Sequence, residues 1–192
     1  MMKKLIALIL VLATLLLVSC GSTAGEAPDG YKLASNDAIC DYALYVPEVW
    51  VSESNTSNYT IATVSSVDKS TVSVAKLENV YADTLDAYWT SCKGEYTFLT
   101  DFTVLSQSTN EAGEPVEWEK VTVGSGENAV TGFRYVFTGK YNGTTYKYQQ
   151  IFLVRNGMLA SSLYCITYTA VAEKYDTHLE ALTAVLGYFY FK

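Results

Sequence analysis

One histidine, three prolines and no C-x-x-C motif set the first limits on this chain of 192 residues. With His178 alone, a metal centre built on imidazoles has no second ring to call on, so only an all-oxygen site of the calcium kind is chemically open. A hydrolase needs a base beside a nucleophile, usually oriented by a third group. The chain has many serines and threonines but no G-x-S-x-G, and His178 shares the apolar face of a helical stripe, where it reads as a boundary residue. Positive charge is scarce as well: 13 Lys and Arg stand against 20 Asp and Glu, for a formal charge of −7. That balance excludes the basic surface a nucleic-acid binder needs and a polybasic hold on anionic lipid. Without C-x-x-C, neither a structural zinc site nor a dithiol redox site has support in Cys40, Cys92 and Cys165. These three read as small buried hydrophobes, with one disulfide plus a free thiol left open. No cofactor is called for.

Long apolar runs are also missing. The longest, Leu5 to Val18, is about 14 residues, short of the roughly 20 a spanning helix needs. It follows the positive stretch Met1–Lys4 and ends in Leu17-Val18-Ser19-Cys20-Gly21. The first two features make a signal peptide. The last resembles the lipobox of bacterial lipoproteins, a family in which the cysteine thiol receives a diacylglyceryl group and cleavage leaves that cysteine as the new N-terminus. The resemblance implies lipidation at Cys20 and anchoring to the outer side of a bacterial membrane, since two acyl chains supply the double signal that stable anchoring requires. The expected organisation is a signal peptide over 1–20, a flexible tether over 21–29 and one domain over 30–192. Without Lys3 and Lys4 the exported part carries two charges fewer than −7, a formal −9.

Within the domain, Asn142-Gly143 and Asn156-Gly157 each separate stretches rich in aromatic and β-branched residues. Asn-Gly suits a type I′ turn, whose two central residues need positive φ. The expectation is a meander over roughly 129–141, 144–155 and 158–168. Two-residue loops would place Phe137 opposite Tyr148 and Tyr148 opposite Cys165, with Phe133 facing Phe152, Tyr135 facing Gln150 and Arg134 facing Ile151. One face then holds Phe133, Tyr135, Phe137, Tyr146, Tyr148, Phe152, Leu163 and Cys165. The other is apolar toward one end and polar toward the other, where Arg134, Lys147, Gln149 and Tyr164 share a face and Gln149 lies opposite Tyr164. Sixteen tyrosines could line a sugar or peptide groove, but most fall at strand positions and read as packing.

Two apolar faces call for cover on both sides. Tyr81, Leu85, Tyr88, Trp89 and Cys92 recur at helical spacing, with Gly94 as a stop and Asp83 and Asp86 in a solvated first turn. Tyr175, Leu179, Leu182, Val185 and Leu186 form a second stripe that ends at Gly187, with Asp176 or Thr177 as its cap. Strands are expected over 39–46, 59–65 and 71–77, and a last one in the aromatic run 188–191. Residues 106–118 read as a loop whose Glu111, Glu114 and Glu117, with Glu119 after it, form a solvated edge rather than a cation site. Asn55-Thr56-Ser57, Asn58-Tyr59-Thr60 and Asn142-Gly143-Thr144 match a glycosylation pattern and are taken as turn and strand residues. The order argues an α+β domain: a mostly antiparallel sheet with helices packed on both faces.

At this level "DYALYVPEVW", then the Asn-Gly hairpin, "LYCITYTA", a helix and a terminal aromatic strand together resemble the PsbP-like domains. The resemblance covers roughly residues 30–192 and implies a role in docking or assembly, not catalysis. No catalytic and no metal residue is assigned. The expected role is non-catalytic binding or assembly at the cell envelope, with an envelope protein or a small ligand as partner and no nucleic acid. The alternatives are a small-ligand capture protein serving a transporter, which needs a cavity of a few hundred Å³ on the scale of roughly 300–1,000 Å³ for ligand sites, and an envelope hydrolase with a site around His178. The residues a ligand would meet are Arg134, Lys147, Gln149 and Tyr164. Unless carboxylates from neighbouring strands pair with them, this end of the face must be left open, because unpaired buried charge is costly.

Overall fold

A computed structural model describes residues 24–53, 59–65, 67–77, 84–156 and 161–192. The expected signal peptide with Cys20, the Asn55–Asn58 stretch, Tyr81, Asp83 and Gly157 lie outside the described residues. In chain order the elements are β1 (Tyr31–Leu33), β2 (Tyr42–Ala43), β3 (Tyr45–Pro47), β4 (Val51–Glu53), β5 (Tyr59–Ser65), β6 (Ser70–Leu77), α1 (Leu85–Glu95), β7 (Thr100–Val104), β8 (Ser108–Thr109), β9 (Pro115–Val116) and β10 (Glu119–Val123). Then follow β11 (Val130–Tyr141), β12 (Thr144–Asn156), β13 (Ser161–Val171), a 3-10 segment (Ala172–His178), α2 (Leu179–Tyr188) and β14 (Tyr190–Phe191).

Among the described residues, eight strands make one antiparallel sheet in the order β10-β11-β12-β13-β6-β5-β4, with β7 also on β11. The first turn of the meander is as expected: Asn142 has φ 49° and Gly143 φ 81°, and Phe137 faces Tyr148. The second differs. Asn156 pairs with Ser161, so Tyr148 faces Thr169 and Gln149 faces Tyr168, not Cys165 and Tyr164. The slip is four positions, and an even slip leaves every side chain on its own face. Both faces therefore hold. Trp89, Trp118, Tyr135, Phe137, Phe152, Leu163 and Cys165 pack on the α1 side. Tyr42, Leu44, Val72, Val74, Ile151, Leu153, Tyr164, Ile166, Leu182, Val185 and Phe189 pack on the α2 side. The domain is α+β, with a mostly antiparallel sheet covered on both faces.

Local chemistry sets the ends of the helices. Thr84 caps α1, its Oγ1 accepting from the Ala87 N–H at 3.1 Å, and the helix runs one residue past Gly94. Neither Asp176 nor Thr177 caps α2, because both lie inside the preceding 3-10 turns and His178 holds the cap position without a side-chain bond. The stretch expected as one strand over 39–46 is split into β2 and β3, each only two or three residues long; Cys40, Tyr42, Leu44 and Val46 are buried, and so are Ala43 and Tyr45 between them. The terminal aromatic run divides: Tyr188 ends α2, Phe189 is buried and Tyr190–Phe191 pair with β2. The loop over 106–118 contains the small β8–β9 hairpin.

One serine completes the sheet. β10 covers β11 as far as Arg134 and β7 covers it from Phe137 onward. In the gap, Ser106 Oγ accepts the Val136 N–H at 2.9 Å, the Val136 carbonyl accepts from the Leu105 N–H at 2.7 Å, and the Ser106 hydroxyl donates to the Glu117 carbonyl. The buried backbone of Val136 is thereby paired without a strand beside it.

Candidate functional site

The four residues singled out on the polar end of the meander do not stay together. Gln149 is buried, and its Oε1 accepts from the Tyr175 hydroxyl at 3.0 Å. Lys147 Nζ stands 4.0 Å from the centre of the same Tyr175 ring, a cation–π distance. Arg134 ion-pairs with Glu119, its neighbour across β10, while its buried Nε has no partner among the described residues. Tyr175 closes this end of the face. Burial pushes its phenol up to about 12, against the pull of Arg134, so it remains a donor across the physiological range. Lys147 and Gln149 thus gather under one ring supplied by the 3-10 segment, with Arg134 on the same face of the sheet. Tyr164 lies opposite Leu153, four residues along β12 from Gln149, or about 13 Å of strand. Of the two arrangements the sequence leaves open, the closed one is present, with an aromatic ring doing for Lys147 what a carboxylate does for Arg134.

Tyr164 belongs to a second polar centre built on Asp41. Its hydroxyl donates to Asp41 Oδ2 at 2.6 Å, Lys76 Nζ lies 3.1 Å from the same oxygen and Arg155 Nη1 3.6 Å. Burial raises the Asp41 carboxyl, but the Tyr164 and Lys76 hydrogen bonds outweigh it and hold the group below the usual carboxylate range. Arg155 also donates to the carbonyls of Asp41 (3.1 Å) and Lys192 (2.6 Å). Sequence reasoning missed this centre. Its members come from five separate stretches, brought together by strand pairings such as Lys76 against Tyr164 and the terminal strand against β2.

On the opposite face, α1 is tied to the segment before β10 by two indoles. Trp89 Nε1 donates to Glu117 Oε2 at 2.7 Å, and Trp118 Nε1 donates back to Asp86 Oδ1 at 2.8 Å. Lys93 Nζ joins Glu117 at 2.6 Å. Asp86 is therefore not merely solvated, and the carboxylates of the expected solvated edge have partners within the protein: Lys120 for Glu111, Asn110 for Glu114, Arg134 for Glu119. Among the described residues no group of three or more His, Cys, Asp and Glu could hold a metal ion. His178 Nε2 lies 2.8 Å from Asp68 Oδ2. Ser70, which gives its backbone N–H to Asp68 at 3.0 Å, has a fully buried hydroxyl. Cys40, Cys92 and Cys165 are free thiols; Cys165 is buried in the aromatic layer and Cys92 half-buried beside it.

Two of the depressions on the surface bear on a ligand site. One of about 460 Å³ lies along the β8–β9 hairpin, between Gln107, Thr109, Pro115 and Glu117. The other, about 180 Å³, lies between Glu26, Pro28, Tyr45, Asn128 and Tyr188. The first has the volume of a small-ligand site, with polar and apolar groups in about equal share, whereas such sites are mostly apolar. No helix among the described residues is long and apolar enough to cross a membrane.

No protein-family model matches the chain, and no curated protein matches it. Solved structures do. LpqN of Mycobacterium tuberculosis, described as involved in cell envelope biogenesis, superposes with a TM-score of 0.52 at 15% identity, over 92% of this chain and 87% of that one. A cyanobacterial PsbP from Synechocystis gives 0.49 at 10% identity, over 90% and 99%. The Ran-binding protein Mog1p of Saccharomyces cerevisiae gives 0.46 at 12% identity, over 76% and 85%. At such identities a likeness speaks for the fold, and what this chain has in common with LpqN is a covered antiparallel α+β sheet.

Proposed function

We propose that the chain is a membrane-anchored extracytoplasmic lipoprotein whose α+β domain serves non-catalytic binding or assembly at the bacterial cell envelope. The observation that carries the reading is the N-terminal sequence: a positive start, an apolar run too short to span, and Leu17-Val18-Ser19-Cys20-Gly21 at its end. A thiol at that position can carry lipid through a thioether. The likeness of fold to a protein described as involved in envelope biogenesis agrees with this address. The non-catalytic role is supported by the polar centres themselves: the carboxylates and cations named above are engaged with one another, and His178 with Asp68.

The test is the mass of the N-terminal peptide from protein purified out of bacterial membranes. The expected peptide begins at Cys20 and carries a diacylglyceryl mass, and Cys20→Ala yields unlipidated protein. A mature N-terminus at any other residue, without lipid, refutes the proposal.

A further inference from the structure

The stretch expected as a free tether over 21–29 is described from Ala24 onward, and there it is fastened to the domain. The Ala24 N–H donates to Asp37 Oδ1 at 2.7 Å. Gly25 is gripped twice: its N–H donates to the Tyr190 hydroxyl at 2.6 Å, and its carbonyl accepts from the Tyr45 hydroxyl at 2.6 Å. The Pro28 carbonyl takes the Tyr31 N–H at 3.0 Å. From Ala24 the hydrogen bonds continue without a break. Asp37 binds Lys192 Nζ at 2.9 Å, the Lys192 N–H donates to the Asp41 carbonyl at 2.9 Å, and Asp41 holds Lys76 and Arg155. The attachment point of the N-terminal segment and the Asp41 centre are thus one corner of the molecule.

Two consequences follow, both resting on the lipid anchor at Cys20. The first is reach. Four peptide units separate Cys20 from Ala24, which span at most about 14 Å even when fully extended. A tether free as far as Gly30 would reach roughly 35 Å. The headgroup layer takes up several ångströms of the shorter distance, since it accounts for the difference between about 30 Å of hydrocarbon and 40–45 Å in all. The second is charge. The corner pairs the cations Lys76, Arg155 and Lys192 with Asp37, Asp41 and the main-chain carboxyl of Lys192, so it is close to neutral on an exported chain of −9 and opposes a phospholipid surface less than the acidic remainder. Ile39, 41% exposed, stands in the same loop as Asp37 and Asp41.

We infer that the domain stands with this corner, Asp37–Asp41 with Lys76, Arg155 and Lys192, against the phospholipid headgroups. The Asn142-Gly143 turn then points away from the membrane. That turn is at the other end of β12 from Arg155, eleven residues or about 36 Å along the strand. The tyrosine grip on Gly25 sets the orientation by shortening the tether; charge supports it.

The test uses the full lipidated protein in phosphatidylcholine vesicles that contain a lipid with a nitroxide headgroup. A fluorophore is placed at Ile39→Cys or at Thr145→Cys, both exposed positions, in a Cys92→Ser background, since Cys40 and Cys165 are buried. Quenching at position 39 is expected to be at least threefold that at position 145. Tyr45→Phe with Tyr190→Phe, which leaves the anchor intact, should reduce quenching at 39 at least twofold. Intact mass is read on the same sample. Lipid on Cys20 with equal quenching at the two positions, or with quenching indifferent to the paired Phe substitutions, overturns the orientation alone. Protein without lipid on Cys20 overturns the anchor and the orientation together.

Discussion

Replacing Glu117 by alanine tests whether the indole–carboxylate pairs hold α1 in place. Trp89 is 2% exposed, its ring tilted against Tyr135 at 4.3 Å and Phe137 at 5.6 Å, and its Nε1–H points at Glu117. The substitution leaves that buried N–H without an acceptor, a loss of about 1–3 kcal/mol for an orphaned donor. It also frees Lys93, but Glu117 is 41% exposed, so this ion pair is worth only about 0.2–1 kcal/mol. Water reaching the half-open carboxylate site offsets part of the first loss, and the expected total is about 2 kcal/mol. A domain of this size loses roughly 2–4 °C of melting temperature per kcal/mol, so Glu117→Ala should melt about 4–8 °C low. Glu117→Gln keeps an oxygen for the indole and should stay within about 1 kcal/mol of the parent. Trp89→Phe, alone and combined with Glu117→Ala, completes a double-mutant cycle by circular dichroism, and the pair should couple by at least about 1 kcal/mol. Additive effects, or equal losses for Ala and Gln, would refute the argument. Acid provides a second view. Burial raises the Glu117 carboxyl, but the Lys93 and Trp89 bonds lower it further, so its contribution is present above the unfolded carboxylate range and fades as pH falls through the folded value.

Asp68 should show the same linkage more clearly. Burial pushes its carboxyl up, yet His178 and Ser70 hold it at about 2, against an ordinary 3.8. Stability from this group is complete above the ordinary value and lost as pH falls from about 4 toward 2, so urea melts across that window should be less pH-dependent in Asp68→Asn; an unchanged slope would refute it. Gly124→Ala should cost about 3 kcal/mol in the same melts. The position has φ +82°, and a Cβ would come within 2.5 Å of the Asn128 carbonyl oxygen and 2.9 Å of that of Phe189, both backbone atoms; a loss below about 1 kcal/mol would show that these loops yield.

The sequence carried the parts of this fold that repeat locally. Asn142-Gly143 fixes one hairpin because its chemistry matches a single turn, and from it every pairing of β11 with β12 follows. Asn156-Gly157 carries the same dipeptide, but Asn156 pairs with Ser161, and the dipeptide alone does not reveal the longer connection. The face of Cys165 was legible and its partner was not, since a period of two is blind to an even slip. Trp89 was legible as a buried residue of α1 from its spacing. That its N–H would find Glu117, on a stretch that reads as a solvated loop, was not, because hydrogen bonds across a fold leave no periodic mark. Tyr175 could be placed on an apolar stripe, whereas its role as the cover over Lys147 and Gln149 depends on where the 3-10 segment crosses β12.

Under the proposed lipidation at Cys20, concentration becomes a two-dimensional quantity, and proteins confined to one leaflet meet their own copies far more often than proteins in bulk. Under that confinement an open sheet edge becomes a template for strand-to-strand association. This sheet has little template to give. On one side it ends in β4, three residues long. On the other, the twelve residues of β11 are sheathed by β10 and β7, five residues each, with Ser106 filling the joint by a side chain rather than by a strand. A neighbour approaching that side meets two short, separate segments joined by a serine side chain in place of one continuous ladder.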